Sequence, residues 1–323
     1  MSAVFRLPYT APYDWPAIRD YLALRAIPGV EAVAGQVYAR TIAPGGRHGL
    51  VTVRPGEGDA LRVTIRYGDR ETVDPEVVPA ALARLRRMFD LDADPAAILA
   101  GLSRDPYLAA LVAARPGLRV PGAWDGFELG VRAILGQQVS VAAATRLAGR
   151  LVAAFGAPLK IIDPAVGAGL TDVSLTHVFP TPEALAQADI AAALGMPRAR
   201  GAAIASLAEA VAADPALFAP GRDPATAVAA LTRLRGIGDW TAQYIAMRAL
   251  RAPDALPAGD IGLLRALDVG AGRPTPKVLL ERSQAWRPWR AYAVLHLWAS
   301  DADGSQAIRQ QAPGCAGPGK ASG

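Results

Sequence analysis

The sequence predicts an α+β fold in which an antiparallel sheet with helices precedes a long all-α region. Two patterns decide this. Between about residues 30 and 70 apolar and polar residues alternate, and beyond Asp94 apolar residues recur at helical spacing behind capping residues.

The first helix is the run from Trp15 to Arg25. GLVTVRP and LRVTIRYGD follow, placing Leu61, Val63, Ile65 and Tyr67 on one face and Arg62, Thr64 and Arg66 on the other, as half-buried antiparallel strands do. Val77 to Phe89 returns to helical spacing and completes a compact α+β unit. In DGFELGVRAIL, Asp125 and Glu128 stand three apart, a capping box for the next helix. Ser140 caps VAAATRLAGRLVAAF and Gly156 ends it. TPEALAQAD, ARGAAIASLAEAVA and DPATAVAALTRL repeat the pattern of a capping or proline start before apolar residues, and their alanines favour helix intrinsically. After about Ala302 Gly, Pro, Gln and Ser dominate, which predicts a disordered tail over 303–323.

At 323 residues the chain has room for two or three domains. A hydrophobic content of 52% argues against disorder, while no apolar run reaches the roughly eighteen residues of a membrane span. The start, MSAVFRLPYTAPYDW, lacks a basic segment followed by an apolar core, so a cytoplasmic location is expected. One cysteine, Cys315, excludes an internal disulfide and a four-cysteine metal or cluster site, and His48, His177 and His296 lack ligand spacing. The net charge of +5 is compatible with a nucleic-acid partner without requiring one. All basic residues except Lys160, Lys277 and Lys320 are arginines. Genome composition explains that bias, though arginine also suits bidentate phosphate contacts.

The most informative stretch is LRGIGDWTAQYIAMRALRAPDALPAGD, Leu234 to Asp260. Gly236 and Gly238 flank Ile237 at a junction of two helices, where a tight turn would aim backbone N–H groups outward at the positive end of the second. Such a turn can seat a phosphate, and it can equally be an ordinary helix–helix turn. Ile237 would tuck into the core. Asp260 follows a Pro/Gly turn at the start of a helical run, so it reads either as a plain N-cap or as a functional carboxylate. Asp239, Asp254 and Asp268 read as surface charges.

The hairpin followed after about twenty residues by an aspartate resembles the helix-hairpin-helix DNA glycosylases. The resemblance extends through APYDWPAIRDYLALRAIPGVE, ARPGLRVPGAWDGFELGVRAILGQQVSVAAAT, LGMPRARGAAI and WRPWRAYAVLHLWAS, which are similar to the 3-methyladenine DNA glycosylase II (AlkA-type) family. It implies three parts: an N-terminal α/β domain over 1–92, a helical subdomain over 93–123 and 253–302 that carries the catalytic aspartate, and a second helical subdomain with the hairpin over 124–252. The implied partner is double-stranded DNA containing alkylated bases, with the lesion nucleotide swung out of the stack.

By the same resemblance Asp260 is the catalytic carboxylate, Tyr21, Trp240, Tyr244 and Trp298 wall the base pocket, and Arg235, Gly236, Ile237, Gly238 and Thr241 contact the DNA backbone. A carboxylate about 4 Å from the positive charge developing on the sugar contributes roughly 4 kcal/mol, about a thousandfold in rate. Electron-rich rings hold cationic alkylated purines by stacking, about 0.5–2 kcal/mol per ring. Each aromatic taken alone also fits a core, and Trp286 and Trp289 are read that way. Arg287 and Arg290, which could touch phosphate, are read as a solvated face. Gln138 stands where the best-known family member carries a leucine wedge that fills the gap left by the flipped base, with Gln137 as the competing candidate.

Trp240 stands where strand-cutting relatives carry a Schiff-base lysine, so a monofunctional enzyme is expected. Neither metal nor iron–sulfur cluster is expected, with a monovalent cation at the hairpin backbone as the one ion the family suggests. A monomer is expected. The rival readings are a non-catalytic damage-binding protein and a glycosylase preferring deaminated or oxidised bases.

Overall fold

The computed structural model describes residues 2–67, 77–160, 175–268 and 272–311, with 303–311 as backbone. Five antiparallel strands, β1 (Ser2–Pro8), β2 (Glu31–Ala34), β3 (Val37–Ile42), β4 (Gly49–Pro55) and β5 (Ala60–Tyr67), form one sheet in the order β1-β5-β4-β3-β2. The alternation read from the sequence is the sheet's own: Leu61, Val63, Ile65 and Tyr67 are buried while Arg62 is exposed. Helix α1 (Trp15–Ala23), capped by Asp14, lays Trp15, Ile18 and Leu22 on that face, and α2 (Val77–Met88) adds Ala81, Leu85 and Met88.

Among the described residues twelve further α-helices follow: α3 (Pro95–Leu102), α4 (Pro106–Ala114), α5 (Gly126–Leu135), α6 (Val141–Phe155), α7 (Pro182–Ala186), α8 (Ile190–Leu194), α9 (Arg198–Ala213), α10 (Pro224–Thr232), α11 (Asp239–Arg248), α12 (Ile261–Ala266), α13 (Pro276–Arg282) and α14 (Arg290–Gln311). Three of them open on an Asp-Pro pair, in which Asp94, Asp105 or Asp223 accepts from first-turn amides and the following proline supplies a preset φ. The helices build two apolar cores. One joins α5, α6, α9 and the start of α11; the other joins α3, α4, α12, α14 and the end of α11. Helix α11 thus belongs to both.

A buried ionic cluster locks the sheet to α5. Arg40 of β3 donates to Glu128 at 2.7 Å, Arg132 reaches Glu31 at 2.7 Å and Glu128 at 3.2 Å, and Tyr38 donates to Glu31 at 2.7 Å. Burial alone would raise the Glu31 pKa, but Arg132 and Arg40 outweigh it and hold it below its ordinary value. Asp90 ties the first unit to the second helical core, accepting from Val120 N at 3.1 Å and Tyr292 Oη at 2.9 Å and pairing with Arg251.

Three sequence expectations change. Asp125 caps α5 through Glu128 N at 3.1 Å, but the Glu128 carboxylate turns into the ionic cluster instead of closing the capping box. Gly156 ends α6 as its position predicts, at φ −72°, and a Cβ there would sit 2.6 Å from both Val152 O and Val178 O. Helix α14 runs to Gln311, so the first nine residues of the expected tail are helical, and 312–323 lie outside the described residues with Cys315. Arg287 and Arg290 both pair with Asp254; Arg287 keeps the solvated position expected of it, whereas the Arg290 side chain is only 12% exposed.

Candidate active site

The hairpin forms between α10 and α11. Gly236 takes φ +86°, a conformation that favours glycine, and a Cβ there would meet Ala203 Cβ at 2.7 Å. Ile237 is buried against the core of α9 and α11, as its flanking glycines predict. Gly238 is the N-cap of α11 and supplies no side-chain cap, which leaves the first-turn amides of that helix open on an exposed surface. Arg235 is exposed beside them, while Thr241 is buried and faces Gln137.

Asp260 is indeed an N-cap, since Oδ1 accepts from Leu263 N at 3.0 Å. It is also more. Trp298 Nε1 donates to Oδ1 at 2.8 Å and Trp240 Nε1 donates to Oδ2 at 2.9 Å, so an indole holds each oxygen of the half-buried carboxylate. The loop that delivers it is fixed by Leu256 N donating to Gln243 Oε1 at 3.2 Å and Asp260 N to Pro257 O at 3.0 Å. Gly262 leaves room for the arrangement: a Cβ would lie 3.0 Å from Asp260 Oδ1 and 3.4 Å from Trp298 Cδ1.

The four aromatics converge on this carboxylate. Trp240 and Tyr244, one helical turn apart, stack at 5.2 Å with an interplanar angle of 8°, Trp298 lies 6.4 Å from Tyr244, and Tyr21 Oη meets Tyr244 Oη at 3.1 Å. They line one cavity of about 690 Å³ between the first unit, α5 and α6, α11 and α14. Two arginines sit among the rings. Arg25 lies 4.1 Å from the Tyr21 centroid, and Arg248 lies 4.5, 5.0 and 5.6 Å from those of Tyr21, Tyr244 and Trp298. Burial would raise the Tyr21 pKa, but Arg248 and then Arg25 bring it below its ordinary value.

Comparison with known proteins decides the family. Residues 4–125 match the AlkA N-terminal domain, and residues 131–290 match the HhH-GPD superfamily base excision DNA repair protein. Over 300 residues the chain is 38% identical to DNA-3-methyladenine glycosylase 2 of Escherichia coli, covering 92% of this chain and 98% of that one. The chain belongs to the AlkA-type DNA-3-methyladenine glycosylase 2 family. A Mycobacterium tuberculosis protein named "Probable bifunctional transcriptional activator/DNA repair enzyme AlkA" is 41% identical over 91% of this chain, which spans little more than half (56%) of that protein's length. The solved 3-methyladenine DNA glycosylase of Archaeoglobus fulgidus shares the fold at a TM-score of 0.76, with 22% identity over 92% of this chain and 98% of that one.

For an AlkA-type chain the two glutamines of the α5–α6 loop separate clearly. Gln137 Nε2 donates to Gly236 O at 2.8 Å and to Thr241 Oγ1 at 3.3 Å, while Arg200 Nη2 holds the Gln137 carbonyl at 2.8 Å. Gln137 thus ties the loop to the hairpin. Gln138 is exposed with φ +58°, at the tip of the loop beside exposed Val139. Sequence reasoning missed Gly262, Arg25 and Arg248. Arg248 carried a usable signal, because positions 240, 244 and 248 share one face of a helix.

Proposed function

We propose that the chain is a monofunctional DNA glycosylase that removes alkylated bases such as 3-methyladenine and 7-methylguanine from duplex DNA. The observation that carries this is Asp260, a half-buried carboxylate held by two indole N–H groups in an aromatic-lined cavity. Breaking the C1′–N bond leaves positive charge on the sugar, which the carboxylate stabilises. Water then adds its oxygen to C1′, and its proton passes to Asp260.

The uncapped amides at the start of α11 seat the DNA backbone, and Gln138 enters the gap left by the flipped nucleotide, where its amide can hydrogen-bond the orphaned base. A monovalent cation on the hairpin would be held by its backbone carbonyls, of which Leu234 O already accepts from Ile237 N at 3.1 Å and Gly236 O from Gln137 Nε2. With an indole in place of a lysine at 240, no imine forms at that position. The protein acts as a cytoplasmic monomer on the nucleoid.

The test is release of free 3-methyladenine or 7-methylguanine from methylated DNA. Wild type should release base, and Asp260→Asn should lose about a thousandfold in rate while still binding DNA. A wild type that releases no base from methylated, deaminated or oxidised DNA would leave only a damage-binding role. Borohydride should trap no protein–DNA adduct, and a trapped adduct would end the monofunctional assignment.

A further inference from the structure

Arg248 is 2% exposed, and it ends α11 on the face that carries Trp240 and Tyr244. Its Nη1 donates to Pro121 O at 2.8 Å and its Nε has no partner. Among the described residues no carboxylate pairs with it. The carboxylates lining the cavity are committed elsewhere: Asp20 to Arg19, Glu31 and Glu128 to Arg40 and Arg132, and Asp260 to the two indoles. What surrounds Arg248 instead is three rings of the base pocket. The carbonyl end of α11 offsets part of the cost of burying this cation. A glutamine could hold the Pro121 carbonyl without that cost.

A buried positive charge under the pocket acts differently on the two kinds of lesion base. When a neutral base departs, the C1′–N bonding pair goes with it, so the base leaves as an anion and the sugar becomes cationic. When an alkylated, cationic base departs, the same pair neutralises it. The guanidinium stabilises the first departure and repels the bound form of the second substrate.

We propose that Arg248 is a specificity-determining residue: its unpaired guanidinium stabilises bases that leave as anions and so opens the pocket to neutral lesions such as deaminated purines. This rests on the glycosylase reading above. A unit charge roughly 10 Å from the departing base, at an effective dielectric of about 20, raises kcat/KM on a neutral base by about tenfold and leaves that on a cationic base, whose binding it opposes, nearly unchanged.

The test compares wild type, Arg248→Gln, Arg248→Met and Arg248→Lys in excision of hypoxanthine and of 7-methylguanine with enzyme well below saturation, where the rate constant reports kcat/KM and so includes the repulsion of the bound cationic base. The hypoxanthine-to-7-methylguanine rate ratio should fall about tenfold in the two neutral variants and stay near wild type in the lysine variant. Equal losses on both bases would mean that Arg248 only supports the fold, and would overturn the proposal. If neither neutral variant folds, inhibition of wild type decides: urate, an anion at neutral pH, should bind about tenfold more tightly than neutral hypoxanthine, and equal or weaker binding would overturn the proposal. A wild type that releases neither base refutes the glycosylase reading itself.

Discussion

Replacing Trp298 by Phe keeps an aromatic face in the pocket and removes one hydrogen bond to the carboxylate. The bond lost is Trp298 Nε1 to Asp260 Oδ1 at 2.8 Å. Hydrogen bonds to a charged group contribute about 1.5–3 kcal/mol. Asp260 is half-buried and keeps donors at Trp240 Nε1 and Leu263 N, so the lower end applies, about tenfold in the excision rate. Trp240→Phe should cost about the same. Single-turnover kinetics on methylated DNA measures the rate, and a binding titration with lesion duplex should show less than about a threefold change, since stacking is retained. If either variant excises within twofold of wild type, the indoles are only pocket walls and the carboxylate does not depend on them for its orientation.

Three other outcomes follow from the same geometry. Gln138→Gly should raise stability by about 0.5–1 kcal/mol by relieving the left-handed backbone, yet lower excision through loss of the wedge; a variant both less stable and fully active would contradict both roles. Glu128→Gln leaves Arg40 and Arg132 short of a counter-charge in a buried cluster, and should cost about 3 kcal/mol in urea unfolding. His296, 4% exposed, has its pKa pushed down to about 4 by burial first and then by Arg115. The unfolded chain therefore takes up that proton first, so stability should decline as pH falls from about 6.5 towards 4, and His296→Gln should flatten that decline in pH-dependent thermal melts.

How much of this was legible in the sequence follows from what each element depends on. Strands β4 and β5 announce themselves because one face is buried and the alternation records it. Strand β1 does not, since of its seven residues only Leu7 is buried and its register comes from pairing with β5. The capping-box reading of Asp125 and Glu128 was half right because the spacing cannot show that Arg40, 88 residues earlier, claims the glutamate. The hairpin and the helical position of Asp260 were readable locally. The grip on Asp260 was not, because its donors arrive from 20 residues before and 38 residues after. The two adjacent glutamines looked alike in the sequence because nothing local shows that Gln138 takes a left-handed backbone at an exposed tip while Gln137 bonds to the hairpin 99 residues away.

Asp260 is at once the N-cap of α12 and the acceptor of two indole N–H groups, and this shapes how its removal behaves. As an N-cap, asparagine serves a helix as well as aspartate, so Asp260→Asn should leave α12 intact. The indoles impose a further condition. With Oδ1 kept for Leu263 N and Trp298 Nε1, the new amide nitrogen replaces Oδ2 and faces the Trp240 N–H, donor against donor. That mismatch should cost about 1–2 kcal/mol, beyond any loss of charge. Adding Trp240→Phe removes the opposing donor, so the double variant should be more stable than Asp260→Asn alone, while excision stays lost. A double-mutant cycle on unfolding free energy measures the coupling. Strict additivity would show that Trp240 does not hold the carboxylate in solution, and the loss in Asp260→Asn would then belong to the charge alone.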